Sequence, residues 1–439
     1  MPQANHPIDK ARELQRALYR AAKQSGTRRF HALYDKVYRE DILQRAWQQV
    51  RENRGAAGVD GQTLRDIEDA GVAVFLQVLG RDLQDGRYRP MPVRRVHIPR
   101  PDGRQRPLGI PTVRDRVVQT AVKIVVEPIF EADFQPCSYG FRPKRSAHDA
   151  DEVIRRTANR GYNWVVDADI ENYFETIDHE LLMDLVAQRI SDRRMLKLIR
   201  KFLKAGVLKD GCVRTATAGT PQGGVISPVL ANVYLSTLDR VWRERCGDIG
   251  ELVRYADDLV ILCRSEGAAR EAVRRLEWIM GRLHLRLHPT KTCVVDLRAG
   301  RGGFDFLGFH HRKVRSWRNG RYYLQHWPSR RAMKAIRARV RAVIGGRHRV
   351  YWSLADVIRV LNPILRGWGT YFAVGNSSCH FTQVDMYATE QVCLFLSRKH
   401  GKSGRGWATR WAHVDLRAEG LHQLSGTVRW YSRRAHAPG

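Results

Sequence analysis

Acidic residues are scarce in this chain of 439 residues: 45 Asp and Glu stand against 76 Lys and Arg, a net charge of +31. The deficit is uneven, because from His310 to the C-terminus there are 24 Lys and Arg but only 5 Asp and Glu. Solubility does not require so lopsided a surplus, whereas a polyanionic partner does, since basic clusters neutralise phosphates and release counterions. Cysteine is also sparse. The seven cysteines are scattered, with no Cys-x-x-Cys pair and no Cys/His ligand spacing, which excludes a zinc module or a disulfide framework and fits a reducing cytosol. The sixteen histidines show no metal-like spacing either, and His310-His311 reads as a surface step. No apolar run approaches the ~20 residues that span a bilayer, and the N-terminus has no apolar signal core. A soluble, intracellular protein with no membrane partner is expected. Hydrophobic residues make up 43% of the chain, enough for a proper core.

What is present begins with Tyr255-Ala256-Asp257-Asp258. Apolar residues precede it (Leu252, Val253) and a stronger apolar run follows, Leu259 to Cys263, the pattern of two short strands joined by a tight turn with adjacent carboxylates at the tip. Alone, an Asp-Asp pair is most often a turn or a helix cap. A second carboxylate segment changes its weight. Asn163 to Ile170 reads as a buried strand in which Val165, Asp167 and Asp169 share one face, with Asp169 at its carboxyl end. On this segment alone the acids could simply cap the next turn. Taken together, one Asp from the strand and one or two from the hairpin could clamp two Mg²⁺ ions about 3.5–4 Å apart, an arrangement suited to in-line phosphoryl transfer.

The order of motifs resembles that of reverse transcriptases of the group II intron (maturase) family. Ile98 to Pro111 is similar to the family's fingers hairpin and Ser138 to His148 to the block after it. Asp169 to Asp178, Gly219 to Gly224 and Tyr255 to Asp258 resemble three palm motifs, and Leu287 to Thr292 with Phe306-Leu307-Gly308 completes the palm. Asn53 to Gly61 resembles the N-terminal extension, and Leu354 to Tyr371 the maturase (thumb) region. The resemblance implies an α+β right-hand polymerase, its palm an antiparallel sheet backed by helices, with a helical thumb. It further implies RNA-templated DNA synthesis from a 3′-hydroxyl, using two Mg²⁺ ions and dNTPs. The expected partners are the parent group II intron RNA, an RNA template/DNA primer duplex and target DNA, in a bacterial cytoplasm.

The same resemblance assigns roles. Asp169 and Asp257 become the primary metal ligands, Asp258 a supporting carboxylate, and the carbonyl of Ile170 completes one metal's shell. Phe174 falls where the family places a ring beneath the incoming sugar, a ring that would clash with a 2′-hydroxyl; the plainer reading is a core Phe after a strand. Arg100 and Arg106 flank the turn Pro101-Asp102-Gly103, and guanidinium forks on such a hairpin suit a triphosphate. Gln222 touches the sugar or base of the new pair. Lys291 is either a proton donor to pyrophosphate or a solvated helix-end charge. Phe306, Leu307 and Gly308 form the primer grip. Arg100 replaces a common Lys, Glu175 a common Asp and His288 a common Asn.

Along the chain, residues 1 to about 30 are expected to be partly flexible. Asp41 and Gln44 read as a capping box opening a helix with Leu43, Trp47 and Val50 on one face. Thr112 reads as the N-cap of a helix buried through Val118, Val122, Val125 and Ile129, and another helix after Asp178 is expected to bury Leu181, Leu182, Leu185 and Val186. After Trp327-Pro328, Met333, Ile336, Val340 and Val343 make one apolar helix face, while Arg331, Lys334, Arg337, Arg339 and Arg341 supply an RNA-binding surface. The expected domains are an N-terminal extension (1–62), fingers and palm (63–320), a helical thumb (321–405) and a short basic C-terminal segment (406–439). The absence of an endonuclease segment before Gly439 suggests the compact, endonuclease-lacking (class C-like) lineage. Two other readings stay open: a related enzyme domesticated for phage defence or DNA repair, and an RNA-binding splicing cofactor without polymerase activity.

Overall fold

The computed structural model describes residues 7–99, 105–209, 212–214, 219, 223–346 and 349–429. Its strands are β1 (Val93–Pro99), β2 (Gln105–Ile110), β3 (Trp164–Asp169), β4 (Val207–Lys209), β5 (Cys212–Arg214), β6 (Glu251–Tyr255), β7 (Asp258–Cys263), β8 (Cys293–Asp296), β9 (Gly303–Phe306), β10 (Phe309–Arg315) and β11 (Tyr322–Pro328). Two compact units are present. The first comprises residues 1–146, 166–261 and 267–293, the second 147–165, 262–266 and 294–439.

The first unit is α+β. One sheet has the order β2-β1-β4-β5, with β1 and β2 paired antiparallel so that Ile98 faces Arg106. A second sheet has the order β6-β7-β3-β8, of which β6, Val166–Asp169 of β3 and Asp258–Ile261 of β7 belong to this unit. The helix Val113–Glu131 follows β2, and its cap is the expected one: Thr112 accepts a hydrogen bond from the Asp115 amide at 3.0 Å. Val118, Val122, Val125 and Ile129 are all fully buried. The Asp115 carboxylate, instead of completing a capping box, accepts from Tyr88 Oη and the Met91 amide. The helix after Asp178 spans His179–Ala187 and buries His179, Leu182, Met183 and Val186, so Leu181 and Leu185 sit half-buried at its edge.

Two local expectations are corrected. The N-terminal segment is a helix, Pro7–Gln24, not a flexible tail from residue 7 onward. It buries Ala11, Leu18 and Ala22, and Gln15 and Lys23 reach the carbonyls of Ile124 and Ala132. The helix Glu40–Glu52 has no side-chain cap, because Asp41 pairs with Arg39 at 2.9 Å instead of closing a box with Gln44. Its Leu43, Trp47 and Val50 are buried as expected.

The second unit packs the sheet β11-β10-β9 against the helix Ala147–Asn159 and adds the helices Arg330–Ile344, Leu354–Phe372 and Ser378–Lys399. Met333, Ile336, Val340 and Val343 enter this core, as their spacing dictates. His311 corrects the surface reading of His310-His311. It is fully buried, with Nε2 3.1 Å from Asp151, and His326 Nε2 lies 3.1 Å from the other oxygen of the same carboxylate. Burial holds the His311 pKa well below the usual imidazole value and lowers that of His326 to about 4. No described helix is long and apolar enough to cross a membrane.

Candidate active site

In the first unit, β3 and β7 are hydrogen-bonded neighbours. Asp169 is the last residue of β3 and Asp258 the first of β7, with Ala256 and Asp257 as the turn from β6. The half of β3 from Val166 onward and the half of β7 up to Ile261 belong to this unit, whereas Trp164–Val165 and Leu262–Cys263 belong to the other. Asp257 also lies near the ring of Tyr173, four residues past Asp169. Burial raises the Tyr173 pKa far above its ordinary value, and the Asp257 charge adds to the effect against the opposing pull of Arg254.

Asp169 is held from two sides. Its carbonyl accepts the His288 amide at 2.8 Å, next to a bridge between Ile170 and Leu287, and its carboxylate accepts from Lys291 Nζ. Lys291 therefore pairs with an acid of the site while its side chain stays more than half exposed. Phe174 is half-buried, its ring edge-on to Tyr173 at 5.3 Å. The backbone of Phe174 and Glu175 receives Gly219, where a Cβ would lie 2.8 Å from the Phe174 carbonyl, so only glycine permits the approach. Thr220, Pro221 and Gln222, beyond Gly219, lie outside the described residues, as does Arg100. Arg106 is placed by its backbone in β2.

The turn is positioned by a group the sequence reading passed over. Arg254, one residue before Tyr255, has no solvent exposure and donates five hydrogen bonds. Nε and Nη2 grip the two oxygens of Asp239 at 2.8 and 2.5 Å, Nη1 reaches Asn232 and the Ala256 carbonyl, and Nη2 also reaches Ser138 Oγ at 2.6 Å. Burial works against the guanidinium charge, but Asp239 outweighs it and lifts the Arg254 pKa. Asn232 in turn donates to the Gly140 carbonyl at 2.8 Å. A side chain at Gly140 would run into the Ala256 amide and come within 2.9 Å of the Tyr255 carbonyl carbon. The carboxylate turn is thus fastened from below by Arg254 and from the side by Gly140. An Arg interrupting an apolar strand, with an Asp on the apolar helix stripe of Leu235, Leu238 and Trp242, was the available signal.

Among the described residues no three His, Cys, Asp or Glu side chains stand close enough to enclose a metal ion unaided. Mg²⁺ does not require that, since it takes one or two carboxylates and fills its shell with phosphate oxygen and water. Hard carboxylate oxygens on adjacent strands fit it.

In the second unit, Leu307 and Gly308 form the two-residue turn between β9 and β10, both with positive φ (49° and 85°), as a tight hairpin demands. Tyr371 Oη donates to the Leu307 carbonyl at 2.7 Å, and the Ser329 amide to the Gly308 carbonyl at 2.9 Å. Arg331, Lys334, Arg337, Arg339 and Arg341 are all exposed on the helix Arg330–Ile344.

Comparison with known proteins matches residues 98–311 to the reverse transcriptase (RNA-dependent DNA polymerase) family and residues 333–412 to the group II intron, maturase-specific domain. Protein YkfC of Escherichia coli (strain K12) is 37% identical over 342 residues, 69% of this chain and 88% of that protein. Group II intron-encoded protein LtrA of Lactococcus lactis subsp. cremoris is 42% identical over 214 residues, 48% of this chain and 35% of LtrA. An uncharacterized 91 kDa protein in the cob intron of Schizosaccharomyces pombe is 27% identical over 437 residues, 83% of this chain and 54% of that protein. The chain belongs to the group II intron-encoded reverse transcriptases, with a reverse transcriptase domain followed by a maturase-specific domain.

Proposed function

We propose that this protein copies RNA into DNA from a 3′-hydroxyl primer and, as a maturase, binds its parent intron RNA for splicing and for retrohoming into target DNA. The observation that carries the reading is the pair of neighbouring strands ending in Asp169 and beginning at Asp258, with the turn between β6 and β7 locked by Arg254. Asp169, Asp257 and Asp258, with the Ile170 carbonyl, hold the Mg²⁺ ions. When bound, these ions supply the positive charge that favours in-line nucleotidyl transfer. Lys291 starts as the counter-ion of Asp169 and donates a proton to the departing pyrophosphate. Arg100 and Arg106 bind the triphosphate, Gln222 contacts the nascent pair, and Phe306, Leu307 and Gly308 grip the primer end. A protein of this kind works in the cytoplasm, beside nucleic acid.

Phe174 selects deoxynucleotides by filling the space a 2′-hydroxyl would need. Its half-buried ring, braced by Tyr173, supports that role. Phe174→Ala is expected to raise incorporation of rNTPs relative to dNTPs by about 10- to 100-fold, read from single-nucleotide primer extension. Unchanged discrimination would assign Phe174 to the core alone.

The basic helix Arg330–Ile344 contacts nucleic-acid phosphates through Arg331, Lys334, Arg337, Arg339 and Arg341. Five such contacts predict that affinity for a template/primer duplex falls about 500-fold between 50 and 200 mM salt. Fluorescence anisotropy across that range checks it, and a loss of less than about threefold would remove the helix from the interface.

The enzymatic reading itself is tested by primer extension on a poly(rA) template annealed to oligo(dT). Mg²⁺-dependent cDNA is expected, and splicing activity without any cDNA would favour a cofactor role.

A further inference from the structure

A concavity of about 1030 Å³ lies between the outer face of the β9–β11 sheet and the helices Arg330–Ile344 and Ser378–Lys399. It is not a continuation of the exposed helix surface as a whole. Arg330, Lys334, Arg337 and Arg341 follow one another at 3- and 4-residue steps and line it, whereas Arg331 and Arg339 do not. Arg301 and Arg312 add charge from the opposite wall, and Asp305 is the one acid among the lining residues, engaged with His310 at 2.6 Å.

Charge alone would describe a phosphate track. The floor adds rings. Register places His310 opposite Trp327, Arg312 opposite Gln325 and Val314 opposite Tyr323 on the face turned away from the Asp151 cluster. Trp327 lies 5.3 Å from His310 and within 14° of parallel to His380 at 6.1 Å. Arg337 sits over Tyr387 at 5.7 Å. His380 Nδ1 is buried without a hydrogen-bond partner among the described residues. Farther along the same sheet face Tyr323 is 39% exposed, and at the hairpin tip Trp317 is 89% exposed beneath the Arg318 guanidinium. Aromatic planes spaced along a basic channel recognise bases whose faces are free. A duplex offers phosphates and sugar edges but keeps those faces stacked, so it makes no use of the rings.

We propose that this groove, from Trp327 and Tyr387 towards the β10–β11 tip, binds an unpaired nucleic-acid strand, its bases stacked on the rings and its phosphates on the Arg330–Arg341 stripe. The inference rests on the nucleic-acid function proposed above. It names a second ligand of the basic helix, an unpaired strand bound away from the carboxylate site and in exchange with the duplex over Lys334, Arg337 and Arg341. The intron's own unpaired RNA and a single-stranded DNA target share this chemistry.

The test uses the full chain and labelled 12-nucleotide strands of unstructured RNA, of the same DNA sequence, of an abasic strand of equal charge, and of the blunt RNA duplex. The wild-type protein is expected to bind the RNA or DNA strand about tenfold or more tightly than the abasic strand. A 4-thiouridine strand is expected to crosslink within Tyr322–Pro328 or around Tyr387. Preference for RNA over DNA would identify the intron as the source, and the reverse order the target DNA. Trp327→Leu with Tyr387→Leu should abolish the preference over the abasic strand while extension of a pre-annealed primer continues. Equal binding of base-bearing and abasic strands, or crosslinks confined to residues 63–260, would overturn the groove. Loss of polymerisation in the wild type with the groove's binding intact would overturn the polymerase reading instead.

Discussion

Asp257→Ala should lower the rate of nucleotide addition by about a thousandfold or more while leaving RNA affinity nearly unchanged. The reasoning is electrostatic. A carboxylate that holds a divalent ion at the reacting phosphate stabilises charge only in the transition state, which lowers kcat and not binding. The turn bearing Asp257 is fixed through the Ala256 carbonyl, bonded to Arg254 at 2.9 Å, so removing one methylene-linked carboxylate leaves the backbone in place. Single-turnover primer extension and anisotropy on the same preparation give both numbers. A variant that retained more than about a tenth of the wild-type rate would show that Asp257 does not hold the essential ion.

Arg254→Met should cost about 3–5 kcal/mol of stability, the usual loss when one member of a fully buried ion pair is removed and the other stays charged. Asp239 would then be left in the core with no counter-charge, and Ser138, Asn232 and the Ala256 carbonyl would each lose a donor. Urea denaturation followed by tryptophan fluorescence should show an earlier first transition. Adding Asp239→Leu removes the stranded carboxylate and should restore most of that stability. Polymerisation should not return, because the carbonyl beside Asp257 still lacks its anchor. Recovery of both properties together would make Arg254 a core residue without a positioning role.

How far the sequence could be read depended on whether a signal was local. The Asp257-Asp258 turn was legible because Leu252, Val253 and the run Leu259–Cys263 bracket it within a dozen residues, two short apolar segments about one polar turn. The helix from Val113 was legible for the same reason, since its cap, Thr112, and its core stripe are contiguous. The basic helix Arg330–Ile344 followed from the 3-4-3 spacing of Met333, Ile336, Val340 and Val343. What was missed is long-range. The helix Pro7–Gln24 carries Ala11, Leu14, Leu18 and Ala22 at 3- and 4-residue steps, but what seats it is the contact of Gln15 and Lys23 with the carbonyls of Ile124 and Ala132, more than a hundred positions later. Arg254 was passed over because its partner Asp239 lies on a different element, 15 residues upstream. His311 looked like surface because the carboxylate that faces it, Asp151, is 160 positions earlier in the chain. In each case the deciding interaction joins segments whose proximity no local periodicity encodes.

The most direct test of the carboxylate site is to locate the ions themselves. Crystals of the protein with a template/primer duplex and a non-hydrolysable dNTP, soaked in Mn²⁺ and measured at its absorption edge, should show anomalous density bound by Asp169 and Asp257, with Lys291 moved from Asp169 towards the triphosphate. Density elsewhere, or Lys291 still paired with Asp169 over a bound nucleotide, would contradict the account.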